Sequence, residues 1–192
     1  MKTFFAAVLM SAAAFAQGVP VEGKPSSKVR VVAFEDLQCS DCADYRLMLD
    51  QQLLPKYGNR VAFEARDFPL PRHKWARKGA VAARAFDRVR PELGIAFRVF
   101  LFSSQQKITA DNFDEQMGDF ARAHNVDPDK IRESMKDPKI EQAVEEEYQD
   151  GIARGIARTP TVLVNGEPFI ERFTFEEISK GIDRALQETS KN

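Results

Sequence analysis

Two cysteines, Cys39 and Cys42, are the only thiols in this 192-residue chain, and they stand three positions apart. A disulfide between them would close so short a loop that loop entropy returns only roughly 2 kcal/mol, which argues for chemistry over stapling. Before them, Val31-Val32-Ala33-Phe34 is an apolar, largely β-branched run that reads as a buried strand. After them, Ala43-Asp44-Tyr45-Arg46-Leu47-Met48-Leu49 reads as helix. The turn at Glu35-Asp36 therefore delivers Cys39 to a helix N-terminus, where unpaired backbone N–H groups and the helix dipole favour a thiolate. Cys42 follows one turn later on the same face, in reach of Cys39. The pattern predicts Cys39 as nucleophile and Cys42 as the thiol that resolves a mixed disulfide.

Other uses of the pair are a structural disulfide or half of a metal site. A zinc site needs four ligands, and only His73 and His124 are available, neither in finger spacing. Two thiolates alone suit copper(I), which stays open as an alternative. No metal ligand set and no bound cofactor is expected. His73 reads as a surface histidine at a helix start, and His124 as a C-terminal helix cap. Glu35, Asp36 and Asp41 are candidates for tuning the thiols, with Asp44 close by and no base nearer than Arg46. Like charges raise a thiol pKa. On that ground the expected disulfide is a weak oxidant, suited to a reductant or isomerase.

The elements that must position the pair follow from periodicity. Residues 29–35 form the first strand; a helix runs from Cys39 to about Tyr57, with Leu47, Leu49, Leu53 and Leu54 as its apolar positions, and Gly58-Asn59 stops it. Residues 61–68 alternate as a second strand. From His73 to about Arg158 the pattern is helical almost throughout, with helices opened by Thr109-x-Asp111, Asp127-Pro128 and Asp137-Pro138. Trp75 and the Phe-rich segment after Pro91 read as core, and Glu145-Glu146-Glu147 as a solvated helix face. Residues 161–164 return to strand, Asn165-Gly166 is a hairpin turn, and residues 167–171 are its partner. Thr174 and Glu177 make a capping box for a last helix striped by Ile178, Ile182 and Leu186.

The N-terminus reads as an export signal: Lys2, an apolar stretch without acids, then Ala14-Phe15-Ala16, with cleavage expected after Ala16. The stretch is shorter than the roughly 20 apolar residues a membrane span needs. Residues 17–28, rich in Gly, Pro and Ser, read as a loosely tied leader. A net charge of −1 gives no electrostatic case for nucleic acid or an anionic membrane as partner.

From about Val29 to Leu186 the chain resembles the DsbA-like thioredoxin-fold oxidoreductases of the bacterial cell envelope. The matching pieces are Val31 to Phe34, Asp36-Leu37-Gln38-Cys39-Ser40-Asp41-Cys42, Phe68-Pro69-Leu70 with His73, and Gly155 through Thr159-Pro160-Thr161 to Asn165-Gly166. The resemblance implies an α/β thioredoxin fold, a mixed central sheet flanked by helices with an inserted helical domain. The implied divisions are residues 29–72 and 159–192 as the two halves of that fold, and 73–158 as the insertion. It implies a cis Thr159–Pro160 bond facing the cysteines, with Thr159 and Pro160 touching a substrate strand. Client proteins bearing thiols or disulfides, a redox partner that resets the pair and a periplasmic or envelope location are implied with it. A monomer is expected, because about a dozen residues between the expected cleavage and the fold are too few for a dimerisation domain. The alternative is a non-catalytic metal-handling or chaperone-like module of the same fold. Ser40 and Asp41 replace the proline and the bulky or basic residue that many relatives carry between the cysteines. Ala33 stands where many carry an acid that relays protons to the second thiol, leaving Glu35 or Asp36 as substitutes.

Overall fold

The computed structural model describes residues 20–169 and 173–191. The expected signal peptide and the distal part of the hairpin's second strand lie outside those residues. The β-branched run forms β2 (Arg30–Glu35), followed by α1 (Ser40–Met48), a π-helical segment (Leu49–Leu53) and α2 (Leu54–Tyr57). The helix after the cysteines is thus continuous to Tyr57 but widened in its middle. Pro55 explains the widening: proline has no N–H and its ring collides with the carbonyl four residues earlier. The Leu54 N–H reaches back five residues to Leu49 O instead of four. Leu47 departs from its expected apolar role and is 54% exposed, because it falls outside the stripe made by Leu49 and Leu53.

β3 (Ala62–Asp67) runs parallel to β2, with Val31 opposite Phe63 and Glu35 opposite Asp67. β4 (Thr161–Val164) runs antiparallel on the other side of β2, and β5 (Glu167–Pro168) pairs with β4 across the Asn165-Gly166 turn. Both turn residues have positive φ (46° and 92°), as a two-residue hairpin of this type requires. The described part of the leader, from residue 20, is tied down at Glu22 and Gly23, where a loose attachment was expected. β1 (Glu22–Gly23) pairs antiparallel with β3, and both Glu22 oxygens receive the Arg46 guanidinium at 2.6 and 2.9 Å. The sheet order is β1-β3-β2-β4-β5.

Between β3 and β4 lie α3 (Ala76–Val89), α4 (Pro91–Ser104), α5 (Phe113–Ala123), α6 (Pro128–Ser134) and α7 (Pro138–Ala153). Asp127 and Asp137 cap α6 and α7 through the N–H groups of Asp129 and Lys139, with proline at the first helical position in each. The turn before α5 is closed by Thr109 and Asn112, each backbone N–H donating to the other's side chain, rather than by Asp111. His124 caps α5 as expected. α8 (Phe175–Thr189) starts at Thr174, whose hydroxyl accepts from Glu177 N.

One sheet face carries Val31, Ala33 and Phe63 against Tyr45, Leu49, Leu53, Ile178 and Ile182; Phe34 and Phe68 pack with Ile156 and Tyr148 in a separate cluster. A third core, built on Trp75, Phe86, Phe97, Phe113 and Phe120, fills the helical block and takes in Leu37, Cys39 and Cys42. The cysteines therefore sit where the sheet meets the helices. A buried ionic cluster fastens the two. Asp67 receives Arg84 Nε at 2.6 Å and both Arg98 terminal nitrogens at 2.7 and 3.1 Å, while Glu147 from α7 accepts the Asp67 N–H at 2.6 Å and pairs with Arg84. Glu147, read as part of a solvated face, is instead 7% exposed and points inward.

Candidate active site

Cys39 is the N-cap of α1, in extended conformation (φ −82°, ψ 126°), which sets its side chain beside the first helical N–H groups without a geometric cap bond. It is 7% exposed, whereas Cys42 is wholly buried, and both are free thiols. The Thr159–Pro160 bond is cis, and the Thr159 carbonyl accepts the Cys39 thiol at 3.3 Å across 120 positions of sequence. The structure thus brings four expected site residues, Cys39, Cys42, Thr159 and Pro160, to one place.

The two sulfurs are driven in opposite directions. The Cys39 thiol is lowered to about 6, chiefly by hydrogen bonding from Cys42. Burial opposes this, and the backbone N–H groups of Cys42 and Asp41 reinforce it. Cys42 is pushed well above an ordinary thiol, first by burial, then by its bond to Cys39 and by the charges of Cys39 and Glu35; the Asp36 N–H, donating to its sulfur at 3.4 Å, works the other way. Such a split suits one sulfur to attack and the other to wait as a protonated reserve.

The acids act differently from the sequence expectation that they would raise Cys39. Asp36 is buried and engaged: Oδ1 accepts from Gln38 N at 2.7 Å, and Oδ2 accepts from Leu70 N at 2.6 Å and faces His73 Nδ1 at 2.9 Å. It braces the loop before Cys39. Asp41 and Asp44 are exposed, where water screens them. Glu35 acts on Cys42. Strand alternation places it on the same face as Ala33, so the missing acid returns one pleat further along β2. Burial raises Glu35 to about 7 against the pull of Arg46 and Arg98, with Glu22 and Asp67 adding to the rise. None of these acids is among the causes acting on Cys39, so the ground for expecting a weak oxidant is removed. His73 is also corrected. Its side chain is 18% exposed and sits against Asp36 before α3 begins, not on the open surface.

Two glutamines that sequence reasoning passed over complete the loop. Gln38 Oε1 accepts from Trp75 N at 3.0 Å, and Gln105 Nε2 donates to Leu37 O and Cys39 O at 3.0 and 2.9 Å. Gln105 lies 66 positions from Cys39, and no local pattern marks it. Among the described residues no group of three or more His, Cys, Asp or Glu could hold a metal ion, and no helix is long and apolar enough to cross a membrane.

A five-stranded mixed sheet with helices packed on it and Cys-x-x-Cys opening the helix after a central strand defines the thioredoxin fold, here with a helical block between β3 and β4. A family model described as thioredoxin matches residues 16–184, and the chain belongs to that family. The thiol-disulfide exchange protein alpha-DsbA2 from Wolbachia pipientis superposes with a TM-score of 0.76 at 23% identity, covering 87% of each chain. Disulfide bond formation protein D of Bacillus subtilis is 24% identical over 177 residues, 89% of this chain and 78% of that protein. A Rickettsia bellii protein, provisionally named a protein-disulfide oxidoreductase, is 28% identical over 178 residues, 90% of this chain. The chain spans 66% of that relative's length.

Proposed function

We propose that the chain is a DsbA-like protein thiol–disulfide oxidoreductase that oxidises client thiols. The carrying observation is geometric: Cys39 caps α1 beside the Thr159 carbonyl of the cis Thr159–Pro160 bond, with the wholly buried Cys42 one turn further on. Stabilising the reduced thiolate makes the disulfide form oxidising. In the oxidised enzyme a client thiolate attacks Cys39 Sγ, forming a mixed disulfide and expelling Cys42 as a thiolate. Glu35, near neutrality in its pKa, supplies the proton Cys42 then takes up. A second client thiolate attacks the first client sulfur, expelling Cys39 as its stabilised thiolate. The client gains a disulfide, two electrons pass to the enzyme, and a separate redox partner must remove them.

Thr159 and Pro160 form the edge on which an extended client segment would lie, the Thr159 backbone offering strand-like pairing beside Cys39. Residues 73–158 act as an inserted helical domain between halves at 29–72 and 159–192. Export, cleavage after Ala16 and work as a monomer in the periplasm or envelope, an oxidising compartment, complete the reading.

Oxidised enzyme incubated with a reduced dithiol client tests this, with client disulfide followed by mass. Wild type converts the client stoichiometrically. Cys39→Ser and Cys42→Ser both abolish conversion, because neither single-thiol variant can hold the internal disulfide that is the oxidant. A wild-type chain that leaves the client reduced, or a Cys39→Ser chain that still oxidises it, overturns the proposal.

A further inference from the structure

Gln105 follows the last residue of α4 and is partly buried. Its amide nitrogen holds two carbonyls, Leu37 O and Cys39 O, one on each side of the active-site turn. The Cys39 carbonyl direction is set by the Cys39 ψ torsion, the same rotation that orients the N–H groups of α1 relative to the sulfur. The Cys39 carbonyl also accepts the Ala43 N–H at 3.2 Å, the first bond of α1, and the Gln105 amide adds a second, shorter anchor that steadies the sulfur's alignment with its donors. The opposite side of the loop is held by acceptors: Gln38 Oε1 takes the Trp75 N–H, and Asp36 takes those of Gln38 and Leu70. The amide itself has a firm base, since Leu101 and Phe102 one turn earlier are 1% and 6% exposed in the helical core.

We propose that Gln105 is a positioning residue of the active site: its side-chain amide, presented by the inserted helices, locks Cys39 in the N-cap conformation in which its thiol meets the helix terminus, Cys42 and Thr159. Its purpose rests on the oxidoreductase reading, but the geometry and its test do not. The inserted block thus belongs to the machinery of thiol activation.

Reduced full-length wild type, Gln105→Met and Gln105→Ala are alkylated with iodoacetamide from pH 4 to 9, and Cys39 modification is followed by mass. Methionine keeps the length and packing of the side chain and removes only its hydrogen bonds. Both variants should shift the Cys39 midpoint upward by about one unit, so that the thiolate fraction below pH 6 falls about tenfold. The thermal unfolding midpoint of the oxidised forms should fall by less than about 8 °C, since two part-buried hydrogen bonds contribute only about 1 kcal/mol each. A Gln105→Met profile superimposable on wild type overturns the proposal. A profile that moves only in Gln105→Ala does so too, because packing would then be the cause. Failure of wild type to oxidise a client defeats the oxidoreductase reading and leaves this comparison of midpoints intact.

Discussion

Deleting the Cys42 thiol should raise the pKa of a sulfur that is not mutated. The hydrogen bond from Cys42 is the largest cause of the low Cys39 value, about 6. At pH 7 such a thiol is about 90% ionised, against about 1% for one near 9. Its intrinsic nucleophilicity is lower by about 20-fold, because reactivity falls by 0.4–0.5 log per unit of pKa, which leaves a net gain of a few-fold. A hydrogen bond to a charged group is worth about 1.5–3 kcal/mol, so its loss in Cys42→Ala should move Cys39 up by at least about one unit. Two opposing changes then cross. At pH 6 the ionised fraction drops about fivefold and nucleophilicity rises about threefold, so alkylation slows about twofold; at pH 9 it runs about threefold faster. Rates of iodoacetamide reaction at Cys39, measured from pH 4 to 10 in wild type and Cys42→Ala, resolve the crossing. A Cys42→Ala midpoint that stays near 6 would assign the effect to the helix terminus alone. A wild-type midpoint near 9 would refute the reasoning entirely. Linkage supplies a second reading. A depressed thiol stabilises the reduced fold above its unfolded midpoint and loses that contribution as pH falls through about 6. At pH 7 it is worth about 1 kcal/mol after screening is discounted, so acidification from pH 8 to 5 should lower the melting temperature of the reduced form relative to the oxidised one.

Glu35→Gln should separate stability from turnover. A carboxyl raised from 4.5 to about 7 favours the fold in its neutral form, a contribution complete below 4.5 and lost as pH rises through 7. The amide should therefore melt higher at pH 8.5, by up to about 3 kcal/mol, with little change at pH 4.5; no difference at pH 8.5 would mean the acid is solvated. The same variant should slow proton-coupled steps at Cys42 by about tenfold or more near pH 7, seen under acid quench as weaker build-up of the mixed disulfide, because Cys42 left unprotonated returns to Cys39. Asp67→Ala leaves two buried guanidiniums without their shared carboxylate and should cost about 3–5 kcal/mol in urea unfolding, whereas a change below 1 kcal/mol would show the cluster to be wet. The Arg84 and Arg98 charges hold Asp67 well below the usual carboxylate range despite burial, so its contribution is present above about pH 4 and lost as pH falls below it.

Strand-to-helix placement of the cysteines, the Asn165-Gly166 hairpin and the capped helices were legible because each rests on local chemistry: β-branched runs, a glycine with positive φ, an aspartate beside a proline. Thr159 and Pro160 became legible only through family resemblance, since nothing local distinguishes a cis proline. What stayed hidden depends on contacts distant in sequence. Leader residue Glu22 joins the fold through Arg46, 24 positions on; His73 meets Asp36; Gln105 meets Cys39. Counting acids near Cys39 misjudged which sulfur they act on, because sequence distance carries no information on burial or on which sulfur a carboxylate faces. Glu147 was misread for the same reason: in an acidic run, the inward residue is chosen by Arg84 and the Asp67 N–H, 63 and 80 positions away.

The two thiols act on each other, and α4 with the residue that caps it carries one further group for each. Arg98 grips Asp67, the cross-strand neighbour of Glu35, and its charge draws Glu35 toward ionisation; Glu35 in turn acts on Cys42. Seven residues further, about 10 Å along the helix, Gln105 holds the carbonyl of Cys39. A shift of α4 along its axis would disturb both tuning groups at once, while a substitution at either end should disturb only one. Arg98 substitutions should accordingly alter Glu35 and Cys42 and leave the Cys39 profile near wild type, with Gln105 substitutions doing the reverse. If both classes moved both thiols equally, α4 would be acting by general support of the fold, not by its two polar contacts.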